Sequence, residues 1–180
     1  ILANDGQYVL RLILAMVLGG VIGLERQKRG RSAGLRTNIL VCLGSAAIII
    51  AFQKIFDVAD PGADSAIRMD PARAAAGVIT GIGFLGAGTI LKRNDFVRGL
   101  TTAASIWVVS AVGVTIGLGE IVIAVVLSAL VLLTLYLLHR LPVASDHYSC
   151  LTLVWTGDFG LLDEVAGALE VAAVDIKHRT

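Results

Sequence analysis

The sequence is poor in charged residues. Only 16% of its 180 residues are Asp, Glu, Lys or Arg, whereas 56% are hydrophobic, and the mean hydropathy is +0.83. A soluble domain has about 25% charged and about 45–50% apolar residues. The scarcity of charge therefore excludes an ordinary soluble domain and favours a membrane protein.

Cysteine and histidine are also scarce, which limits the chemistry available. Cys42 and Cys150 have neither the spacing of metal ligands nor that of a disulfide framework. His139, His147 and His178 lie outside the apolar runs, with no nucleophile arranged around them. The sequence therefore predicts neither an enzyme nor a bound cofactor or metal.

What the chain does contain is a series of long apolar runs. Residues 7–24, 38–56, 71–91, 99–117 and 120–138 are each close to the roughly 20 residues that a spanning helix needs. The segments 25–37 and 92–98 are basic, and the segment 57–70 is acidic. Because Lys and Arg collect in cytoplasmic loops, this pattern places the amino end outside and the carboxyl end inside. We therefore predict an all-α polytopic membrane protein with about five transmembrane helices.

The composition changes after Pro142, which indicates a second domain. Residues 148–155 alternate like a strand, residues 159–171 have helical spacing, and residues 174–176 could open another strand. This β-α-β segment is too short to fold securely alone. We predict a transmembrane domain over residues 1–141 and the start of a small cytoplasmic α+β domain over residues 146–180, truncated at Thr180. Regulation and oligomerisation are both open as its role.

The apolar region contains an internal repeat. The segment Gly34-Leu35-Arg36-Thr37 precedes Gly99-Leu100-Thr101-Thr102 by 65 positions, and Gly23 precedes Gly88 by the same offset. In the predicted topology both hairpins run in the same direction. The sequence thus predicts two parallel helix-hairpin repeats followed by a fifth helix, an arrangement that occurs in transporters.

A glycine-rich run occupies the third apolar segment. Gly81, Gly83 and Gly86 have the spacing G-x-G-x-x-G of dinucleotide-binding loops, but that motif needs a strand before it and a helix after it. Here a helix start at Pro71 precedes the run and a basic loop follows Gly88. A nucleotide site is therefore not expected.

Two interpretations of these glycines remain. Gly77 and Gly81, like Gly19 and Gly23, are four positions apart, which lets membrane helices pack closely. Alternatively, the segment from Gly81 to Gly88 breaks the helix and exposes backbone groups to a cavity, as in transporters.

Four motifs together identify a family resemblance. They are Gly23-Leu24-Glu25-Arg26-Gln27, Gly34-Leu35-Arg36-Thr37, Gly81-Ile82-Gly83-Phe84-Leu85-Gly86-Ala87-Gly88, and Gly99-Leu100-Thr101-Thr102-Ala103-Ala104 with Trp107. In order and spacing they resemble the MgtC/SapB family of bacterial inner-membrane proteins. The resemblance implies a multi-helix inner-membrane domain, often followed by a soluble domain. Family members are linked to growth under low magnesium and to survival of pathogens inside host cells, and one is reported to act on the F-type ATP synthase.

The motif residues at the basic ends allow several roles. Glu25 and Arg26 are either solvated or reach neighbouring helix ends, Glu25 towards Lys92 or Arg98 and Arg26 towards free carbonyls at a helix C-terminus. The threonines that open helices, Thr37, Thr101 and Thr102, are expected to cap free amides. The alternative is an anion or lipid-headgroup site at these helix N-termini, surrounded by Arg36, Lys92, Arg93 and Arg98.

The acidic side carries its own candidates. Asp70 precedes Pro71 and is the expected N-cap of the third helix. Arg73 and Arg11 are expected to extend to the membrane interface. For Arg11, an ion pair with Asp70 inside the bundle is the alternative.

Two functions follow as hypotheses. The first is a regulatory or interaction protein that binds another membrane protein, and the second is a transporter or channel for a small ion. No carboxylate or histidine lies near the middle of any apolar run, so a cation path lacks its usual ligands. The expected partners are the lipid bilayer, a membrane protein and a second copy of the chain, and no nucleic acid.

Overall fold

A computed structural model describes residues 2–58, 71–93 and 96–140. Within these ranges the chain forms five helices and one antiparallel hairpin. The elements are α1 (Leu2–Lys28), α2 (Leu35–Val58), α3 (Pro71–Gly88), β1 (Leu91–Arg93), β2 (Phe96–Arg98), α4 (Leu100–Leu118) and α5 (Ile121–Arg140). The predicted carboxyl-terminal domain and Asp70 lie outside the described residues.

Contacts between the helices define two ends of the bundle. We call the end that carries β1 and β2 the hairpin end, and the other the opposite end. α1 and α2 are antiparallel, because Asp5 bonds Lys54 at the opposite end while Gly23 packs against Leu35 at the hairpin end. Gly86 lies against Ala103 near the hairpin end, and Val78 packs in one apolar cluster with Val114 further from it, so α3 is antiparallel to α4.

The helix α4 is the centre of the bundle and contacts each of the other four helices. It runs parallel to α2, since Ser45 contacts Ser110 and Ile49 lies against Gly117 further along both helices. The crossing is close because a Cβ atom at Gly113 would lie 2.3 Å from the carbonyl oxygen of Cys42. α1 and α3 each contact both α2 and α4, and α5 contacts α1 and α4.

The outer faces of the helices are apolar, as a lipid environment requires. Large apolar side chains such as Val122 and Leu130 on α5, and Leu10 and Val17 on α1, are about half exposed or more. The helices α1, α2 and α4 are long and apolar enough to cross a membrane, and Ala72–Gly88 and Ile121–Leu137 are shorter apolar helices. The chain is therefore a mostly helical protein with a membrane-spanning composition.

Two segments differ from the sequence-based expectation. The basic segment 92–98 was expected to be a loop, but it forms most of a hairpin in which Leu91 pairs with Arg98 and Lys92 with Val97. The second difference concerns α3, which continues as one helix through Gly81 to Gly88. The hypothesis of a helix broken there is wrong.

Candidate functional site

Arg26 is a buried charged side chain at the hairpin end of the bundle. Only 3% of it is exposed, and its Nη2 atom donates a 3.0 Å hydrogen bond to Oγ1 of Thr102 on α4. Its Nε atom is buried without a hydrogen-bond partner among the described residues. The predicted contact of Arg26 with carbonyls at a helix C-terminus is therefore wrong. The side chain instead joins the end of α1 to the first turn of α4.

Glu25 lies beside Arg26 and forms an ion pair with Nε of Arg29, four positions along the chain and just past the end of α1. The prediction that Glu25 reaches Lys92 or Arg98 is therefore wrong, because its partner is the nearby Arg29. Arg29 also lies over the ring of Tyr136, at 5.6 Å from its centroid, which connects α1 to α5. Arg26 thus links α1 to α4, and Glu25 holds Arg29, which contacts α5.

Asn38 and Gln27 hold the turn between α1 and α2; Gln27 ends the first motif but no role was predicted for it, and Asn38 lies outside the four motifs. Asn38 is fully buried, and its Nδ2 atom donates to the carbonyl oxygens of Ala33 and Gly34 at 2.6 and 2.8 Å. The Oε1 atom of Gln27 accepts a hydrogen bond from the amide of Leu35, the first residue of α2. The signal available in the sequence was an Asn at the start of an apolar run, directly after the basic segment.

The threonines do not cap their helices as predicted. Gly99, with φ 92°, occupies the N-cap of α4 and makes no side-chain cap. Thr102 accepts the bond from Arg26, and its backbone carbonyl accepts a 2.8 Å bond from Ser105. Thr37 and Thr101 are both exposed. Glycine replaces a threonine cap because the chain turns into α4 with a left-handed backbone conformation.

The remaining basic motif residues stay on the surface of the hairpin end. The side chains of Arg36, Lys92 and Arg98 are exposed and make no hydrogen bond or ion pair to other described residues. They carry solvent-accessible positive charge at the hairpin end, Arg36 in the first turn of α2 and Lys92 and Arg98 in the two strands that precede α4. Such charge suits the cytoplasmic side of a membrane and its anionic lipid headgroups.

The glycines of α3 pack less than predicted. Gly86 lies 3.7 Å from Ala103, measured from the Cβ position that an alanine would have. The same position at Gly77, Gly81, Gly83 or Gly88 meets nothing within 4 Å among the described atoms. The close helix packing in the bundle uses other glycines, namely Gly19, Gly23, Gly113 and Gly117. The glycine face of α3 therefore remains open.

An open groove of about 460 Å³ lies between α2 and α3. We call it the α2–α3 groove; its walls include Val41, Gly44 and Ile48 from α2 and Ala74, Gly77 and Gly81 from α3. Phe52 and Arg73 line it near the opposite end. The walls are almost entirely apolar, so the groove suits hydrocarbon or an apolar side-chain surface rather than a hydrated ion.

Arg11 is a structural residue whose partners the sequence did not predict. Its Nη1 atom donates to Oε1 of Gln53 at 3.1 Å and to the carbonyl oxygen of Gly117 at 3.0 Å. The guanidinium thus lies at the carboxyl end of α4, where free carbonyls favour a cation. Arg11 is half-buried within the bundle, and its expected extension to the membrane interface stays a prediction.

Arg73 is exposed at the opposite end of the bundle, and its expected extension to the membrane interface stays a prediction. It makes no hydrogen bond or ion pair to another described residue. The predicted N-cap role of Asp70, and the alternative ion pair between Asp70 and Arg11, concern a residue outside the described ranges. Arg11 itself is already bonded to Gln53 and Gly117.

Comparisons with known proteins agree with the motifs. Residues 12–143 match the model of the MgtC family. Over 160 residues the chain is 42% identical to the protein of Escherichia coli K12 named "Putative magnesium transporter YhiD", which covers 87% of this chain and 74% of that protein. It is 40% identical over 146 residues to "Protein MgtC" of Salmonella typhimurium LT2, covering 77% of this chain and 58% of that protein. No solved structure matches the chain significantly.

Proposed function

The chain belongs to the MgtC family, and from that premise we propose that it is a regulatory protein of the bacterial inner membrane that binds another membrane protein. It acts during magnesium limitation and during stress or survival within a host, as the family resemblance implies. The F-type ATP synthase is the first partner to test. The protein is not an enzyme in this proposal, since no described cluster offers a nucleophile with a base.

The observation that carries the proposal is the absence of charge along the middle of the five helices, because the buried Arg26 lies at the hairpin end and the half-buried Arg11 near the opposite end. In α1 to α5, no Asp, Glu, Lys, Arg or His occurs within residues 12–24, 37–53, 74–88, 100–118 or 121–137. The hydroxyl groups buried there bond to the protein itself, as Ser45 does to Ser110 and Ser128 to the carbonyl oxygen of Ala124. A path for Mg²⁺ needs several oxygen ligands or retained waters, which this interior offers poorly.

Transport is the second candidate, and the name of the Escherichia coli relative favours it. A flux assay with the purified full chain in liposomes separates the two functions. The proposal expects no flux of Mg²⁺, K⁺ or phosphate above that of empty liposomes. Flux that requires the protein and is abolished by Gly83→Leu would overturn it, because Gly83 is open and its substitution leaves the bundle packing unchanged.

A direct test measures ATP hydrolysis and proton pumping by inverted membrane vesicles that contain the F-type ATP synthase. Adding the protein should change both rates if this enzyme is the partner. Crosslinking in the same vesicles identifies the bound subunit. Unchanged rates together with no crosslinked membrane protein would contradict a regulatory role.

We also propose five spanning helices, with the amino end outside and the carboxyl end inside. The alternating directions of the described helices support this topology, as do the exposed basic residues at the hairpin end. A cysteine placed at Asp60 should react with an impermeant reagent from outside intact cells. A cysteine at Arg36 should react only after permeabilisation, and the reverse pattern would overturn the topology.

A further inference from the structure

The internal repeat relates two grooves on the surface of the bundle. At the offset of 65 residues, α1 corresponds to α3 and α2 corresponds to α4. The groove between α1 and α4 is covered by α5, which contacts both helices. Its counterpart under the repeat is the α2–α3 groove, which no described helix covers. The fold therefore presents one occupied and one open version of the same surface.

We propose that the α2–α3 groove binds one apolar transmembrane helix of a partner protein, with an acidic residue at the end of that helix near Arg73. This inference rests on the proposed function, because it assigns the surface through which a membrane partner is bound. The helix occupies the groove as α5 occupies its counterpart.

The shape of the groove supports a helix as the occupant. Gly44, Gly77 and Gly81 open its walls, and a Cβ atom at any of them would meet no atom of the described residues within 4 Å. Gly77 and Gly81 lie on one face of α3, one turn apart. Small residues at this spacing let the backbone of a second helix approach closely, which increases van der Waals contact where no hydrophobic driving force exists.

The charge at one end of the groove defines the partner further. Arg11 on α1 corresponds to position 76 on α3, one turn from Arg73 and on the same side of the helix. Arg11 bonds Gln53 and Gly117, whereas Arg73 lacks such partners among the described residues. A carboxylate on the incoming helix supplies one. Such a pair at the membrane interface sets the direction and register of binding more than its strength.

A second copy of the chain is a less suitable occupant. Its exposed α5 could enter the groove, but α5 and the groove lie on different surfaces, which makes the contact heterologous. Contacts of that type form rings or open chains rather than a closed two-fold dimer. We therefore assign the groove to a different membrane protein.

The probe is a synthetic peptide with the sequence of residues 118–140, which stands in for a partner helix because Glu120 precedes an apolar helix in it. The full chain should remain monomeric in the same vesicles, since self-association weakened by Gly77→Leu would show that a second copy, and not a partner protein, occupies the groove. Binding of the labelled peptide to the full chain is measured by energy transfer in phosphatidylcholine vesicles. Gly77→Leu fills the groove and should weaken binding by about tenfold or more, the equivalent of about 1.4 kcal/mol. Gly83→Leu is the matched control, because Gly83 is equally open but does not line the groove.

The pairing of Arg73 with the acidic residue is tested by charge reversal. Arg73→Glu should weaken binding of the unchanged peptide. A peptide that carries Glu120→Lys should bind the Arg73→Glu variant as tightly as the unchanged peptide binds the parent chain, and should bind the parent chain weakly. A benzophenone side chain at Ile48, in the groove, should crosslink the peptide. If it crosslinks only lipid, or if Gly77→Leu and Gly83→Leu have equal effects, the helix proposal is wrong. The regulatory function is judged separately. If both glycine variants change ATP hydrolysis and proton pumping as the parent chain does, the regulatory function stands although the groove proposal is wrong.

Discussion

Ser45 and Ser110 contact each other through their hydroxyl groups, with an Oγ to Oγ distance of 2.9 Å. They are 65 positions apart, the offset of the internal repeat. A residue meets its own counterpart only where the two repeats face each other, so the pair marks the centre of the crossing of α2 and α4. Gln53 and the carbonyl oxygen of Leu118, also 65 apart, meet at 3.4 Å near the opposite end.

Removing one of these hydroxyl groups should lower the stability of the protein only slightly. Ser45 also donates to the carbonyl oxygen of Val41 on its own helix, so a bond remains available when Ser110 is replaced. We expect Ser110→Ala to lower the free energy of unfolding in mixed micelles by about 0.6 kcal/mol, the average for interhelical hydrogen bonds in membranes. Ser110→Leu should be far more destabilising, since the crossing has no space for it. Equal effects of both substitutions would contradict a close crossing.

The glycines provide a sharper test of the packing. A Cβ atom at Gly113 would lie 2.3 Å from the carbonyl oxygen of Cys42, whereas one at Gly83 would meet nothing within 4 Å in the part of the chain that the structure describes. Gly113→Ala should therefore destabilise the protein by about 1–3 kcal/mol through overpacking. Gly83→Ala should leave stability unchanged or raise it slightly, as expected for alanine in a helix. Thermal unfolding in detergent measures both, and equal behaviour would refute the assigned helix interface.

The apolar runs predicted the helices well, and the helix ends less well. α1 spans Leu2–Lys28 whereas the apolar run covers residues 7–24, because hydropathy marks the part suited to lipid and a helix continues beyond it. The hairpin of residues 91–98 was missed because two three-residue strands give too little periodicity to detect. The carboxyl-terminal β-α-β domain stays a prediction.

The candidate site was predictable in its residues but not in its contacts. The motif singled out Arg26 and Thr102, yet their bond joins residues 76 positions apart and depends on how α1 crosses α4. The roles of the α3 glycines could not be predicted from their spacing, because the same spacing of small residues occurs in buried helix contacts and on open helix faces. The Ser45 and Ser110 pair, by contrast, was available from the repeat, because both serines align at its offset.

The bond between Arg26 and Thr102 should stabilise the hairpin end. Thr102→Val removes the acceptor while keeping the shape, which leaves another donor of a buried guanidinium unpaired. We expect a loss of about 1–3 kcal/mol in the free energy of unfolding. Thr102→Ser should restore most of it, and Thr101→Val, at the exposed neighbouring position, should have little effect. If Thr101→Val and Thr102→Val are equivalent, the bond does not contribute.

At the opposite end, Arg11 should stabilise α4 through its carboxyl terminus. Arg11→Met keeps much of the apolar stem but removes the cation that bonds Gln53 and the carbonyl oxygen of Gly117. A cation at a helix C-terminus stabilises by about 0.3–1 kcal/mol at exposed sites and by up to about 2 kcal/mol when partly buried. Because Arg11 is half-buried, we expect Arg11→Met to lower the free energy of unfolding by about 2 kcal/mol. Lys54→Met is the control, since the pair of Lys54 with Asp5 is exposed and should contribute nothing measurable. Amide hydrogen exchange in the last turn of α4 should therefore become faster in Arg11→Met and stay unchanged in Lys54→Met. Faster exchange in both variants would show that the loss of positive charge in general, and not the contact with Gly117, determines the stability of this helix end.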